Sequence, residues 1–148
     1  MKQNDLNGIF DFLGKLRLNK ISDKETKIGL IKIHMALYKK VEEFKADMTE
    51  LQKKYFEGKE QELQQYNTTV VQLQSEQDAD KRAELEKSLD PEMRTLVTEF
   101  NEVVNSMLNK DVDVEITPID KDKFIEALIE LDIEFTCDDL IILKDLYK

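Results

Sequence analysis

Between residues 22 and 58 apolar side chains return every three or four positions: Ile31, Met35, Tyr38, Val41, Phe44, Met48, Leu51 and Tyr55. The spacing is a heptad-like seam with one irregularity, which predicts a long helix with an apolar stripe. Ahead of it, Ser22-Asp23-Lys24-Glu25 reads as a capping box, with the Ser22 hydroxyl and the Glu25 carboxylate satisfying free backbone donors reciprocally. A helix from Ser22 to Gly58 would be about 50 Å long at 1.5 Å per residue. A compact globule of this size does not cover such a length, so the helix calls for a long antiparallel partner or another subunit.

The rest of the chain is read in the same way. Asn4 or Asp5 is the expected cap of a first helix, whose Leu6, Ile9, Phe10, Leu13 and Leu16 share one face. From Gly58 to Ala79 the chain is rich in Glu, Gln, Asn and Thr. Only Leu63, Tyr66, Val70 and Leu73 thread it, which predicts weakly packed helix broken near Ser75 to Asp80. A second long helical region follows from Asp80 to Asn109, with a break at Asp90-Pro91, where Asp90 is a good cap and proline fits the first helical position. Its Met93, Leu96, Val97, Phe100, Val103, Val104 and Met107 form the natural partner face for the seam.

At Asp111-Val112-Asp113-Val114-Glu115-Ile116 the period changes to strict alternation, the pattern of a strand with one wet face. One strand cannot stand alone, so Ile133-Glu134-Phe135 or a strand of another molecule is the expected partner. Two stapled helices close the chain. Asp120 caps the first, with Ile119 and Phe124 as its staple and Phe124, Ile125, Leu128 and Ile129 carrying it. Thr136 caps the second, with Phe135 and Leu140 as its staple and Leu140, Ile141, Leu143 and Leu146 facing inward.

The predicted fold is therefore mainly α: a long antiparallel, coiled-coil-like helical hairpin with a small C-terminal module of one or two short strands and two short helices. Within a single domain, 1–148, residues 1–21 make an N-terminal helix and connector. Residues 22–109 make the hairpin with a polar tip near 58–80, and residues 110–148 an acidic module.

Composition changes this picture in one respect. The net charge is −10, yet residues 1–58 hold 12 Lys/Arg against 9 Asp/Glu while residues 59–148 hold 10 against 23. The acidity belongs to the rear of the chain. One cysteine excludes a disulfide scaffold and fits a reducing compartment. Neither glycine-rich phosphate loop occurs around the four glycines, and no window approaches a membrane span. The chain is expected to be soluble and cytoplasmic.

Candidate chemistry is sparse. His34 is the only histidine, which leaves no His-based metal site or triad within one chain. Cys137 falls in a first helical turn, but Asp138 and Asp139 beside it oppose thiolate formation. Asp111, Asp113, Glu115 and Asp122 copy a calcium-loop rhythm superficially. The sixth position, however, is Ile116 and the twelfth an Asp, where such a loop needs Gly and Glu. Glu42, Glu43, Asp47 and Glu50 lack the Glu-x-x-His pairs of a helical metal site. A basic patch of Lys15, Arg17, Lys20, Lys24 and Lys27 reads as a solvated capping region. No catalytic, cofactor-binding or metal-ligating residue is assigned. The candidate partner-binding residues are the acids Asp111, Asp113, Glu115, Asp120 and Asp122.

Taken together, Lys27 to Tyr55, Phe100-Asn101 with Asn105 and Leu108, Asp113-Val114-Glu115-Ile116-Thr117-Pro118-Ile119, and Phe135-Thr136 with Asp139-Leu140 resemble small helical proteins encoded by tailed phages and prophages. The resemblance covers most of the chain and rests on caps and core positions; a Gly-rich hairpin in the tip region is lacking here. It implies a phage or prophage origin and a role in particle assembly or in dealing with the host, with no catalytic residues. The function expected is non-enzymatic protein–protein interaction or assembly, with a protein partner or a second copy of the chain and no direct nucleic acid, membrane, cofactor or small-molecule substrate. A host-cytoplasmic or virion location follows. The alternative is an acidic inhibitor that mimics nucleic acid toward a host enzyme.

Overall fold

The computed structural model describes residues 1–148 and is mainly helical, with seven α-helices and no strand. In chain order these are α1 (Gln3–Gly14), α2 (Lys24–Phe56), α3 (Glu60–Ser75), α4 (Ala79–Ser88), α5 (Pro91–Leu108), α6 (Lys121–Glu130) and α7 (Cys137–Ile142). Short 3₁₀ turns lie at Leu18–Lys20 and Lys144–Leu146. Two compact units are formed, one from residues 1–45 with 108–148 and the other from 46–107, and α2 contributes to both.

The first unit holds the main core. Leu6, Ile9 and Leu13 of α1, Leu30, Ile33, Leu37 and Val41 of α2, and Phe124, Ala127 and Leu128 of α6 are all buried in it, with Ile21, Ile119, Leu131, Leu143 and Leu146. The buried face of α2 differs from the expected seam. Ile31, Met35 and Tyr38 are exposed at 42%, 67% and 52%, whereas Leu30, Ile33 and Leu37 are almost fully enclosed. The first half of this helix carries apolar residues on two faces, Leu30, Ile33 and Leu37 on one and Ile31, Met35 and Tyr38 on the other, so periodicity does not choose between them; the apolar surfaces of α1 and α6 do. Beyond Val41 the remaining residues of the expected seam, Phe44, Met48, Leu51 and Tyr55, are half-buried.

Helix starts are set by side chains and by neighbouring backbone. Asp23, not Ser22, caps α2: its Oδ2 accepts the Thr26 amide at 2.8 Å and the Thr26 hydroxyl at 2.7 Å. That satisfies the hydroxyl of a threonine that is itself buried. Ser22 is diverted to α6, where its amide and hydroxyl both donate to the Glu130 carboxylate. Neither Asn4 nor Asp5 caps α1. The helix begins after Lys2, without a side-chain cap, and the Gln3 amide donates to the Lys110 carbonyl at 3.0 Å. Asp120 and Thr136 act as expected, the latter in a reciprocal capping box with Asp139. Ile129, expected to carry α6, and Ile141, expected inward, are 65% and 63% exposed, whereas Leu143 and Leu146 are buried as expected.

The expected strand is an extended segment without a ladder. Val112, Val114 and Ile116 pack against the core and Asp111, Asp113 and Glu115 face outward, so the alternation holds. Its partners are the chain ends rather than residues 133–135. Val112 donates to the Met1 carbonyl at 2.8 Å in an antiparallel bridge of Lys2 with Asp111. Ile119 donates to the Leu146 carbonyl at 2.8 Å in a parallel bridge with Tyr147. Residues 113–118 make no backbone–backbone hydrogen bond.

In the second unit Phe56 and Met93 are buried, and the Phe100 ring meets Phe56 edge-on at 5.1 Å and Tyr55 at 6.0 Å. Lys59 pairs with Glu92 at 2.8 Å. Gly58 ends α2 with a φ of 77°, a left-handed conformation that glycine adopts without a side-chain penalty. The thread Leu63, Tyr66, Val70 and Leu73 is half-buried along α3, which breaks after Ser75 and gives way to α4 under an Asp78 cap. The Asp90-Pro91 break starts α5, with Asp90 Oδ1 accepting the Glu92 amide at 3.0 Å.

Two glycines make opposite predictions. A Cβ on Gly29 would stand 3.0 Å from Ile119 Cγ1 and 3.3 Å from its Cδ1, whereas a Cβ on Gly8 meets nothing within 4 Å. Gly8→Ala is expected to stabilise by about 0.5–1 kcal/mol through helix propensity, and Gly29→Val to destabilise by about 1–3 kcal/mol through overpacking. Thermal unfolding followed by circular dichroism reads both; a gain at Gly29 would contradict the close approach of α2 to Ile119.

Candidate functional site

The acidic residues divide by element. Asp111, Asp113 and Glu115 occupy every second position of the extended segment, so all three side chains project from its outer face about 7 Å apart along the chain. Asp111 pairs with Lys2 at 3.2 Å, but both side chains are largely exposed, and an ion pair of this kind holds little energy. Asp120 caps α6, its Oδ1 accepting the Lys123 amide at 3.1 Å. Asp122 is exposed in the first turn of that helix, beside a favourable N-terminal dipole. The outer face of the segment thus unites three of the five, and the start of α6 carries the other two.

Glu115 and Asp120 also border a cleft of about 450 Å³ between the segment and α2. Ile33, Ala36, Ile116 and Ile119 supply apolar lining, while Glu25, Lys32 and Lys123 stand among its polar groups. Gly29 lies on its lining beside Ile119, where the helix and the segment approach closely. Lys123 Nζ bonds Glu25 at 2.9 Å and lies 3.8 Å from Asp23, and the Glu25 bond first, then the Asp23 charge, holds its pKa above the ordinary lysine value. Asp23 is held below the ordinary carboxylate range by the Thr26 amide and hydroxyl, and Glu130 likewise by the Ser22 hydroxyl and amide. Asp139 is lowered in the same way by Thr136. All three of these carboxylates work as caps or ties.

His34 stacks on Phe10 with ring centroids 4.3 Å apart and planes 7° from parallel. Its Nε2 is buried without a hydrogen-bond partner, beside a cavity of about 200 Å³ lined by Leu13, Gly14, Leu16 and Leu30 among others. Cys137 is exposed at the start of α7. No three His, Cys, Asp or Glu side chains converge as a metal site, and no helix is long and apolar enough to cross a membrane. In the second unit a groove of about 650 Å³ has Phe56, Leu63, Val97 and Phe100 as its apolar lining.

Sequence reasoning missed two features. One is the Ser22–Glu130 tie, which joins residues 108 apart and carries no local signal. The other is an outward apolar stripe on α2, formed by Ile28, Ile31, Met35 and Tyr38. Its signal was present: Ile28 lies three residues before Ile31 and extends the spacing toward Lys24, outside the face that Leu30, Ile33 and Leu37 define.

Against known proteins, no family model matches the chain, and searches of curated proteins and of solved structures find no similar chain.

The lowered carboxylate pKa values make stability depend on pH in acid. A group whose folded pKa lies below its unfolded value stabilises the fold above the unfolded pKa and loses that contribution as pH falls through the folded one. With ordinary values of 3.8 for Asp23 and 4.5 for Glu130, their contribution is expected to be full at neutral pH and to fade on acidification below about pH 5. Asp23→Asn with Glu130→Gln is expected to give a shallower fall of Tm between neutral and acid pH than the parent; parallel curves would show that these ties contribute nothing.

Proposed function

We propose that the chain is a non-enzymatic protein–protein interaction or assembly protein, encoded by a tailed phage or prophage and acting in the host cytoplasm or the virion. The observation that carries this reading is the segment 111–118: packed on the core by one face, hydrogen-bonded only at a bridge near each end, with unpaired backbone between them and three carboxylates in a row on its open face. Unpaired extended backbone is a template for an added strand of another chain, and the carboxylate row selects a partner rich in Lys and Arg. The partner is accordingly a protein or a second copy, with no cofactor, membrane, nucleic acid or small-molecule substrate involved.

In the same reading the second unit is the stem of an antiparallel helical hairpin, with Met48, Leu51 and Tyr55 of α2 facing Leu96, Phe100 and Val103 of α5. The ring contacts of Tyr55 and Phe56 with Phe100 support that pairing. The non-enzymatic assignment draws on the local roles of the carboxylates with lowered pKa values: caps and ties for Asp23, Glu130 and Asp139, and the Lys40 pair for Glu43.

The triple variant Asp111→Lys, Asp113→Lys, Glu115→Lys tests the reading. These side chains are exposed, so Tm is expected to hold while capture of a partner from host lysate, or self-association by light scattering, is lost. A strict monomer without a co-purifying partner, or equal capture by parent and variant, overturns it. Capture of a nucleic-acid enzyme in competition with DNA would instead support inhibition by nucleic-acid mimicry. Asp120→Ala separates capping from binding: a loss of about 1 kcal/mol of stability is expected, with partner capture retained.

A further inference from the structure

We propose that the outward stripe Ile28, Ile31, Met35 and Tyr38 on α2 is a docking face for an acidic amphipathic helix of a partner protein. This deepens the interaction reading above and rests on it. The four side chains are 41–67% exposed although each is large and apolar. They are spaced 3, 4 and 3 residues apart, the repeat by which one helix receives another. Few isolated apolar side chains need a reason, but a row at heptad spacing on a helix whose opposite face is already buried is a surface prepared for contact.

Charge decides between occupants. Residues 24–40 contain five lysines and one glutamate, and that glutamate, Glu25, is engaged with Lys123. Lys24 precedes Ile28 by four residues on the line of the stripe, and Lys32 and Lys39 follow Ile28 and Met35 by four residues along one flank. No carboxylate lies within 4 Å of Lys24, Lys32 or Lys39. Two copies of this face would set lysine against lysine, which opposes self-pairing. An anionic lipid surface would meet a chain of net charge −10. A helix with apolar a and d positions flanked by Glu or Asp matches the stripe and the lysines together, in the helix-in-groove manner of recognition.

The test uses the full chain and a synthetic helical peptide with Leu at a and d and Glu at e and g, followed by fluorescence anisotropy. Saturable binding below about 100 µM is expected, weakening with salt. Ile31→Ser with Met35→Ser should reduce affinity at least about tenfold at unchanged Tm. Lys32→Glu with Lys39→Glu should weaken the Glu peptide and favour the same peptide carrying Lys at e and g. No binding by the parent chain, or binding indifferent to the Ser pair or to the charge swap, overturns the proposal. So does flotation with phosphatidylserine vesicles that the Ser pair abolishes, or dimerisation that it abolishes. Failure here leaves capture through Asp111, Asp113 and Glu115 untouched, so the two readings fail separately.

Discussion

The packing of Leu30, Ile33, Leu37 and Val41 against α1 and α6 is the constraint from which the first unit follows. Each of these side chains is at most 5% exposed, and burying an aliphatic side chain of this size stabilises by about 1.5–3 kcal/mol. Once that face is inward, Ile28, Ile31, Met35 and Tyr38 must point outward, since residues three and four apart share a face and the two sets alternate around the helix. Thr26 lies on the buried face one turn before Leu30, and Asp23 reaches it both as helix cap and as partner for its hydroxyl. The start of α2 is thus registered to the core by one carboxylate. Gly29 beside it leaves room for Ile119, which fixes how deeply the extended segment sits.

The same core explains why that segment is not a strand. Val112, Val114 and Ile116 are held by packing on one side, and the chain ends supply hydrogen bonds only at residues 110–112 and 119–121. At the C-terminal end the Tyr147 ring stacks on Phe124 at 5.5 Å while its hydroxyl donates to the Leu140 carbonyl at 2.7 Å. Aromatic burial with a satisfied hydroxyl anchors the last residues firmly enough to serve as the bridge. Between the two bridges, side-chain burial keeps the backbone extended without a partner strand. Alternation in a sequence reports one buried face, and a ladder requires a neighbour in addition.

Helix caps and breaks were legible because their physics is local. Asp90-Pro91, Asp120, Thr136 and the polar break after Ser75 each depend on residues within four positions. The errors fell where a distant group competed for the same donor or face. Ser22 had a good local role and lost it to Glu130; the cap of α1 became a carbonyl at Lys110; Ile31, Met35 and Tyr38 yielded the core to Leu30, Ile33 and Leu37. Of the candidate acids, Asp111, Asp113 and Glu115 were legible as one face from alternation alone. Asp120 was also legible as a cap, and that second role sets it apart from the three.

Charge along the sequence and charge on the surface are related by this topology. The basic front and the acidic rear are remote in sequence, yet residues 24–40 and 111–122 belong to the same compact unit. Lys123 partly joins them, since it binds Glu25 at the start of α2 while its own amide is held by Asp120. Beyond that junction Lys32 and Glu115 line one cleft, while Lys39, Asp111 and Asp113 are exposed. At physiological ionic strength fields between exposed charges fade over about 8 Å. Each patch therefore acts chiefly on a partner of its own size, whereas the net charge of −10 weighs against an extended anionic surface. An acidic chain can in this way present a lysine-flanked apolar helix face and a carboxylate row from a single core.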